Sequence, residues 1–425
     1  MKTDILVVGG GGREHAIVRA LKKSPDAGMI YVLPGNGGIA RDAICVPGVG
    51  AKDIEGITAF ARTHHIGFAV VAPDDPLVLG AADALRAAGI PTFGPNRNAA
   101  VIEGSKVFAK RLMQKYGIPT ARCEVFENAA DALAYVKTCP LPTVVKADGL
   151  ALGKGVLIAQ TRGEAESAVR TIMEERAFGD SGARVVIEEF LTGPEVSVLA
   201  FTDGVTVVPM VSSMDHKRAG DGDTGPNTGG MGTVAPNPYY TEEIAAVCRE
   251  TIFEPTIRAM AAEGRPFSGC LYFGLMLTSD GPKVIEYNCR FGDPETQVVL
   301  PLLESDLLAV MRACADGTLT PDMVRFSRGA ACCVVVASGG YPGKYPTGFP
   351  ITVGEGFDAE LYVAGARRAA DGSLVTSGGR VLGVVSVAGT LDGAVRDAYR
   401  NAALVSFTGA YMRHDIGARA LAAGK

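Results

Sequence analysis

The chain has 425 residues, of which 47% are hydrophobic and 20% charged, and its formal net charge is -5. That is enough chain for several hydrophobic cores and roughly two to four domains, and it excludes an extended disordered polymer. A weakly acidic balance without a long Lys/Arg run also excludes the basic stripe of a nucleic-acid binder, while single phosphate sites stay compatible with it.

In chain order, residues 5–8 (ILVV) form a continuous apolar run of buried-strand character. Glycines fill 9–12 and a helical pattern covers 13–22. A glycine loop at a helix start lets a ligand approach closely and points free N–H groups at an anion, so the unit looks like a phosphate or nucleotide turn. The spacing fits the dinucleotide fingerprint only weakly, and no acid stands where a nicotinamide ribose needs one, so a dehydrogenase is disfavoured. A second strand over 29–33 ends in PGNGG, with Asn36 and Gly37, and a third over 68–71 ends in APDD, with Asp74. All three loops follow apolar strands, the edge at which ligands sit in open parallel sheets. A helical stretch over 81–88 continues the alternation. The opening MKTDILVVGGGG is too short and glycine-rich an apolar run for a signal peptide or membrane span, so a cytoplasmic setting is expected.

Residues 102–116 predict one charged amphipathic helix whose lysines, Lys106, Lys110 and Lys115, are of the kind that usually face solvent. A short α/β element follows over 126–138. Next, a strand carrying Lys146 runs into a glycine-rich turn over 149–155 that carries Gly153, Lys154 and Gly155. Lysine point charges and open backbone amides suit a phosphate. The spacing is not that of a Walker loop, because Gly155 rather than Ser or Thr follows Lys154, and a different nucleotide fold is implied. A strand over 185–188 leads into Glu189, Phe190 and Leu191, with Glu195 beyond the Gly193-Pro194 turn. This resembles a hinge whose backbone reads an adenine edge while a carboxylate meets ribose hydroxyls.

The stretch DHKRAGDGDTGPNTGGMG, 215–232, is dense in charge and glycine and has almost nothing to fill a core. It reads as a binding loop for a small anionic or zwitterionic ligand. Alternation along 283–288 places Glu286 and Asn288 on one face of a strand, where a carboxylate and an amide oxygen make a candidate site for a hard cation such as Mg²⁺. The following loop gathers Arg290, Asp293, Pro294 and Glu295 as a substrate rim. Strand-like runs over 329–338 and 379–388, beside glycine turns, belong to a last domain. Nine scattered cysteines, with only Cys332 and Cys333 adjacent, show no metal-ligand spacing and read as reduced, mostly buried thiols.

The ordered series GGREHA (11–16), PGNGG (34–38), GSK (104–106), KADGLALGKGV (146–156), EEFLTGPE (188–195), SMDHKR with DTGPNTGGMG, VIEYNCRFGDPETQ (284–297), SGGYPG (338–343) and TSGGRVLGV (376–384) resembles the phosphoribosylamine–glycine ligase family of the ATP-grasp superfamily along essentially the whole chain. The fold class this implies is α/β and α+β multidomain. It comprises an N-terminal open parallel α/β domain (1–102), a helical connection (103–121), ATP-grasp lid (122–189) and catalytic (190–325) domains, and a C-terminal mixed α/β domain (326–425).

The resemblance also implies ATP-dependent ligation of glycine to 5-phosphoribosylamine through glycyl phosphate in purine biosynthesis. Its cofactors are ATP and Mg²⁺ or Mn²⁺; the chain is monomeric, with a dimer left open, and has neither nucleic-acid nor membrane partners. Lys106, Lys146, Gly153, Lys154 and Gly155 then match phosphate-contacting positions, Glu188, Glu189, Phe190 and Leu191 the adenine site, and Glu195 the ribose. Glu286 and Asn288 match the metal positions. Arg290, Asp215 and Lys217 are candidate catalytic groups. Gly11, Gly12, Arg13, Glu14, Asn36, Gly37, Asp74, Asp215, Thr228, Gly229, Gly230, Met231, Arg290, Asp293, Pro294 and Glu295 line the substrate side. His216 is a candidate orienting donor or an ordinary loop histidine. Three positions depart from the family pattern: Asp74 where Glu is usual, Met214 where Gln is common, and Leu152 where a small residue is usual. Another ATP-grasp carboxylate–amine ligase would use the same nucleotide residues. A non-catalytic nucleotide sensor would have no need of Glu286 and Asn288 beside the phosphates.

Overall fold

The structure is a computed structural model describing residues 2–150 and 155–423. Its first sheet is parallel throughout, with strands Ile44–Cys45, Ala27–Pro34, Thr3–Gly9, Phe68–Val71 and Thr92–Phe93 side by side in that order. Thr3–Gly9 lies at the centre, and the run Ile5, Leu6, Val7 and Val8 is wholly shielded from water. Both faces are covered, which is why the sequence reads as a continuous apolar run. Ile5 and Val7 join a core that reaches Phe201 and Leu308, whereas Leu6 and Val8 join another with Ile57 and Leu77. The sheet thus separates two cores and presents its glycine loops at one edge.

The single helix expected over 102–116 is two helices, Arg97–Gly104 and Lys106–Tyr116. Ser105 breaks them with extended backbone (φ -143°, ψ 112°), and its hydroxyl accepts from the Phe108 amide as an N-cap. Lys106 therefore opens a helix. The element expected over 126–138 is the strand Cys123–Phe126 followed by the Asn128-capped helix Ala129–Val136.

Strands Cys123–Phe126, Val185–Glu189, Thr143–Ala147 and Val156–Ala159 form an antiparallel sheet with its own core around Val136, Val145, Ile172 and Ile187. A second antiparallel sheet orders Val207–Pro209, Glu195–Asp203, Ser268–Thr278 and Gly281–Asn288. The last large sheet runs Met214–Asp215, Gly232–Ala235, Ala330–Ser338, Arg380–Ala388 and Glu360–Val363, with Ala410–Tyr411 also on Ala330–Ser338. The stretch 190–325 thus supplies strands to two sheets, and the loop 215–232 hangs from the C-terminal one. Within it, Arg218–Gly220 pairs with Thr224–Asn227 as a short ribbon. Among the described residues no helix is long and apolar enough to cross a membrane.

Candidate active site

The site grows from the strand Gly281–Asn288. Its register against Ser268–Thr278 slips once, passing from Gly274 opposite Glu286 to Leu275 opposite Val284, so Ile285 is an extra residue. Such a bulge bends the strand and releases a carbonyl from the ladder. The Ile285 carbonyl accepts from Lys146 Nζ at 3.2 Å. Beyond the bulge the alternation is regular, with Tyr287 buried in the core and Glu286 and Asn288 on the opposite face.

Three lysines face Glu286. Lys217 Nζ lies 3.4 Å from its Oε1, and Lys146 and Lys106 add their charges. The Lys217 charge, acting against burial and aided by Lys146 and Lys106, holds the Glu286 carboxyl below its usual range. Glu286 in turn drives Lys217 well above the ordinary ammonium value. Burial drives Lys106 the other way despite the Glu286 charge. Lys106 Nζ donates to the Gly149 carbonyl at 2.9 Å, where the chain enters the turn. Among the described residues no three His, Cys, Asp or Glu side chains gather as a metal cage. A lone carboxylate with Asn288 beside it suits a hard cation that takes its remaining oxygens from phosphate and water.

Lys146 is 5% exposed, and besides Ile285 it meets Glu188 Oε2 at 3.0 Å. Lys110, on the helix Lys106–Tyr116, meets the same oxygen at 3.1 Å and donates to Thr120 Oγ1 at 2.7 Å. The usual solvent-facing placement of helical lysines fails for Lys106 and Lys110, because buried acids or carbonyls answer their charges; Lys115 does reach the surface, on Glu263. The Glu188 side chain is therefore a counter-ion for two cations, and its Oε1 has no partner among the described residues. The Glu188 carbonyl is also engaged, by Thr143 Oγ1, and the Glu189 amide bonds the Arg122 carbonyl. Glu189 binds Arg122 through its side chain as well. Phe190 and Leu191 follow half-buried beyond the strand end. Glu195 is largely exposed, 3.6 Å from Lys217. The Gly155 carbonyl accepts from the Ala147 amide. Leu152, Gly153 and Lys154 lie outside the described residues.

Across the site Arg290 is held by Glu103, whose Oε1 accepts from Nη2 at 3.0 Å while Oε2 accepts from the Cys289 amide. Asp74 stands 3.9 Å from the same Nη2, and the Arg290 Nε is buried without a partner among the described residues. Burial opposes ionisation of Asp74, but the Arg290 and Arg13 charges outweigh it and keep its carboxyl below the usual range. The shorter Asp side chain at this position therefore still reaches the field of the arginine. Asp215 is pushed well above the carboxylate range, first by burial and then by Glu295. Its Oδ1 accepts from the His216 amide at 2.7 Å, and a Cβ on Gly230 would come within 2.7 Å of that oxygen and 2.5 Å of Pro294. Gly230, at φ +111°, is required here for both reasons. Glu295 accepts from Tyr272 at 3.2 Å and Ser197 at 3.4 Å.

At the glycine loop 9–12 the chain's own acid engages part of the helix start. Gly11 donates to the Glu14 carboxylate, which also takes Arg13 Nε at 2.6 Å, and Asp293 Oδ2 lies against the same turn, 3.3 Å from where a Cβ on Gly11 would sit. The Asn36 side chain is likewise used internally, donating to the Gly10 and Val363 carbonyls and accepting from the Gly38 and Ile39 amides. Gly37 packs on the Arg367 backbone, where a Cβ would clash at 2.7 Å. Asn36 and the Gly37 amide join the N-terminal sheet to Val363 and Ala366 of the last part of the chain, and Arg13 reaches the Phe291 carbonyl.

The loop 215–232 divides its residues. Thr228 bonds the Lys217 carbonyl through both its amide and its hydroxyl, and the hydroxyl accepts from Gly230. Arg380 clamps the Gly229 carbonyl at 2.6 Å and the Asp293 carbonyl at 2.8 Å, and Gly229 donates to the Tyr341 hydroxyl. The Met231 amide bonds the His216 carbonyl. His216 is itself a tie rather than a substrate donor: Nδ1 meets the Gly232 carbonyl and Nε2 accepts from the Gly417 amide. Burial, then the Arg413 charge, lowers it to about 4, so it is neutral at pH 7. Sequence reasoning missed Glu103, Lys110, Arg380 and Tyr341. Arg380 and Tyr341 do lie inside the glycine-rich motifs TSGGRVLGV and SGGYPG.

Residues 3–103, 104–296 and 331–419 match the N, ATP-grasp (A) and C domains of phosphoribosylglycinamide synthetase. A phosphoribosylamine–glycine ligase of Yersinia pestis is 46% identical over 427 residues, covering 99% of this chain and 100% of its own. A trifunctional purine biosynthetic protein adenosine-3 of Gallus gallus is also 46% identical across 99% of this chain, which corresponds to 43% of its length. The crystal structure of a phosphoribosylamine–glycine ligase from Thermotoga maritima superposes with a TM-score of 0.85 at 37% identity, over 97% of this chain and 100% of the other. A biotin carboxylase from Campylobacter jejuni, at 15% identity, shares the fold with a TM-score of 0.75 over 97% of this chain and 93% of its own. Matched domain by domain in the same order, the chain belongs to the phosphoribosylglycinamide synthetase family and has the ATP-grasp fold.

Proposed function

We propose that the chain ligates glycine to 5-phosphoribosylamine at the expense of ATP, giving glycinamide ribonucleotide, ADP and phosphate. The observation that carries this reading is the division of one site into two halves. Lys106, Lys146 and Lys217 surround Glu286 on one side, and Arg290 offers on the other a buried Nε that has no partner among the described residues. The first half suits a polyphosphate and the second a carboxylate.

Phe190 and Leu191 supply backbone for the adenine, and Glu195 faces the ribose. Lys106 and Lys146 counter phosphate charge. A magnesium or manganese ion held by Glu286 and Asn288 together with phosphate oxygens would neutralise charge on the transferring phosphoryl group. Arg290 pairs the glycine carboxylate and, held by Glu103, aligns its oxygen on the terminal phosphorus. Glycyl phosphate forms as ADP departs. The phosphoribosylamine nitrogen then attacks the acyl carbon, a C–N bond forms, and the C–O bond to phosphate breaks. Asp215 and Glu295 face the amines. No protein nucleophile is needed, and the buried thiols of Cys270, Cys289 and Cys333 are pushed well above their usual range, which suits an inert role. The chain is proposed to work in the cytoplasm as a monomer on small-molecule substrates, without nucleic acid or membrane.

Glycine-dependent ADP release with freshly prepared phosphoribosylamine tests the reading. ADP formation that ignores glycine but responds to another carboxylate–amine pair would assign the chain a different ligation.

A further inference from the structure

The tip of the loop 215–232 is tied to the last part of the chain. Arg413 is 1% exposed, the largest of the fully buried side chains, and all of its guanidinium nitrogens are bonded. Nε and Nη2 each meet one Asp415 oxygen at 2.8 Å, and Nη1 donates to the Arg218 carbonyl at 3.0 Å and to Asp223 at 2.9 Å. Asp415 also accepts from the Gly222 amide at 2.9 Å, and Arg419 donates to the second Asp223 oxygen at 2.8 Å. The Gly417 amide reaches His216, one residue from Asp215. Asp223 holds a left-handed backbone, φ +56°, which a non-glycine residue keeps when its surroundings fix it.

A glycine-rich loop this polar has no apolar core of its own, so unbound it would sample many conformations. Here one short segment fixes the ribbon by charge-assisted bonds and the residue beside Asp215 by a backbone amide, that of Gly417. We propose that residues 411–419 form a clasp that orders the loop 215–232 for its amine substrates, with Arg413 as the central positioning residue. All of the Arg413 guanidinium bonds go to the chain itself, and it acts through Arg218, Asp223 and, by way of the same segment, His216 and Asp215. The inference rests on the reading of 215–232 as the substrate loop.

The test uses the full chain with Asp223→Asn, which alters a half-exposed carboxylate, and with Arg413→Gln and Arg413→Lys. Hydrogen exchange over 216–231 and KM for each substrate are measured. Exchange in that segment should accelerate, and KM for glycine and phosphoribosylamine should rise about tenfold, the weight of one charge-assisted bond. KM for ATP should stay within about twofold, and Arg413→Lys, which keeps the charge but not the fork, should fall between wild type and Arg413→Gln. If Arg413→Gln does not fold, Asp223→Asn decides. Unchanged exchange over 216–231 overturns the clasp. Faster exchange with both amine-substrate KM values unchanged shows instead that the loop is clasped but does not bind these substrates, which overturns the reading of the loop and the positioning role with it.

Discussion

The Glu188 carboxylate meets the Lys146 ammonium at 3.0 Å where both side chains are almost wholly removed from water, at 3% and 6% exposure. One acid here answers two cations, since Lys110 shares the same oxygen. Removing the acid leaves two buried ammonium groups facing each other. Glu188→Gln should cost about 3 kcal/mol of stability and also weaken ATP binding, because Lys146 loses the group that aims it. Urea denaturation and nucleotide titration read the two effects separately; a stability change under about 1 kcal/mol would mean the carboxylate is not the counter-ion described.

Lys146 itself sits between Glu188 and the Ile285 carbonyl released by the bulge. Lys146→Ala should raise KM for ATP strongly while circular dichroism stays unchanged. Lys146→Arg should restore little, because the compact ammonium fits between two acceptors that a planar fork cannot meet in the same way. Full rescue by arginine would count against this geometry.

Glu286→Gln and Asn288→Ala should each lower turnover about 100-fold, equivalent to about 2.7 kcal/mol, if both hold a cation against phosphate. The loss should be deepest at limiting magnesium. Steady-state rates across a magnesium series check this, and near-normal rates at low magnesium in both variants refute the pair.

Asp215 ionises reluctantly because it is buried beside Glu295, and a substrate ammonium entering the site would favour its charged form. Glycine binding at neutral pH should therefore release up to about one proton. Calorimetry in buffers of different ionisation enthalpy counts it, and Asp215→Asn should abolish the release. The same variant and Arg290→Ala should still bind a non-hydrolysable ATP analogue while ligation is severely reduced. Loss of nucleotide binding in both would move these residues to the other half of the site.

His216 titrates at about 4 in the folded chain against 6.5 in a free side chain. Unfolded chains therefore take up the proton first as pH falls. The His216 contribution is complete above pH 6.5 and is lost between there and about 4, an effect on the order of 3 kcal/mol. His15, also lowered mainly by burial, slopes the same way. His216→Asn keeps a donor for the Gly232 carbonyl and should flatten the difference in unfolding free energy between pH 7 and pH 4.5. An equal slope in the variant would assign the pH dependence elsewhere.

Much of the fold was legible because local pattern and burial agree. The run at 5–8 is apolar on both faces because both faces are covered, and the alternation at 286–288 survives because the bulge falls one residue earlier. What escaped was pairing at a distance. Lys110 looks like any helical lysine until Glu188 folds against it, and Arg380 matters through Gly229 and Asp293, far away in the chain. The helix break at Ser105 had a local signal, Gly-Ser, which the amphipathic pattern on either side masked. The glycine loop at 9–12 has the composition of an open anion cradle; only the placement of Glu14 shows that one of its amides, that of Gly11, is taken by the chain itself.

The strand Gly232–Ala235 pairs with Ala330–Ser338, which is made much later. At a translation rate of about 5–20 residues per second, the earlier strand waits on the order of 5–20 s before its partner exists. During that interval Val234 and Ala235, both wholly buried at the end, have only the two-residue strand Met214–Asp215 beside them. The apolar edge is short, only four residues, and the polar run before it carries Lys217, Arg218 and three aspartates, which keeps it soluble and discourages pairing with other chains. The same charged loop that reads as a ligand site thus shields the nascent chain, and a fragment ending before Ala330 should stay soluble with this edge unpaired, whereas the same fragment with the loop's charges neutralised should aggregate through it.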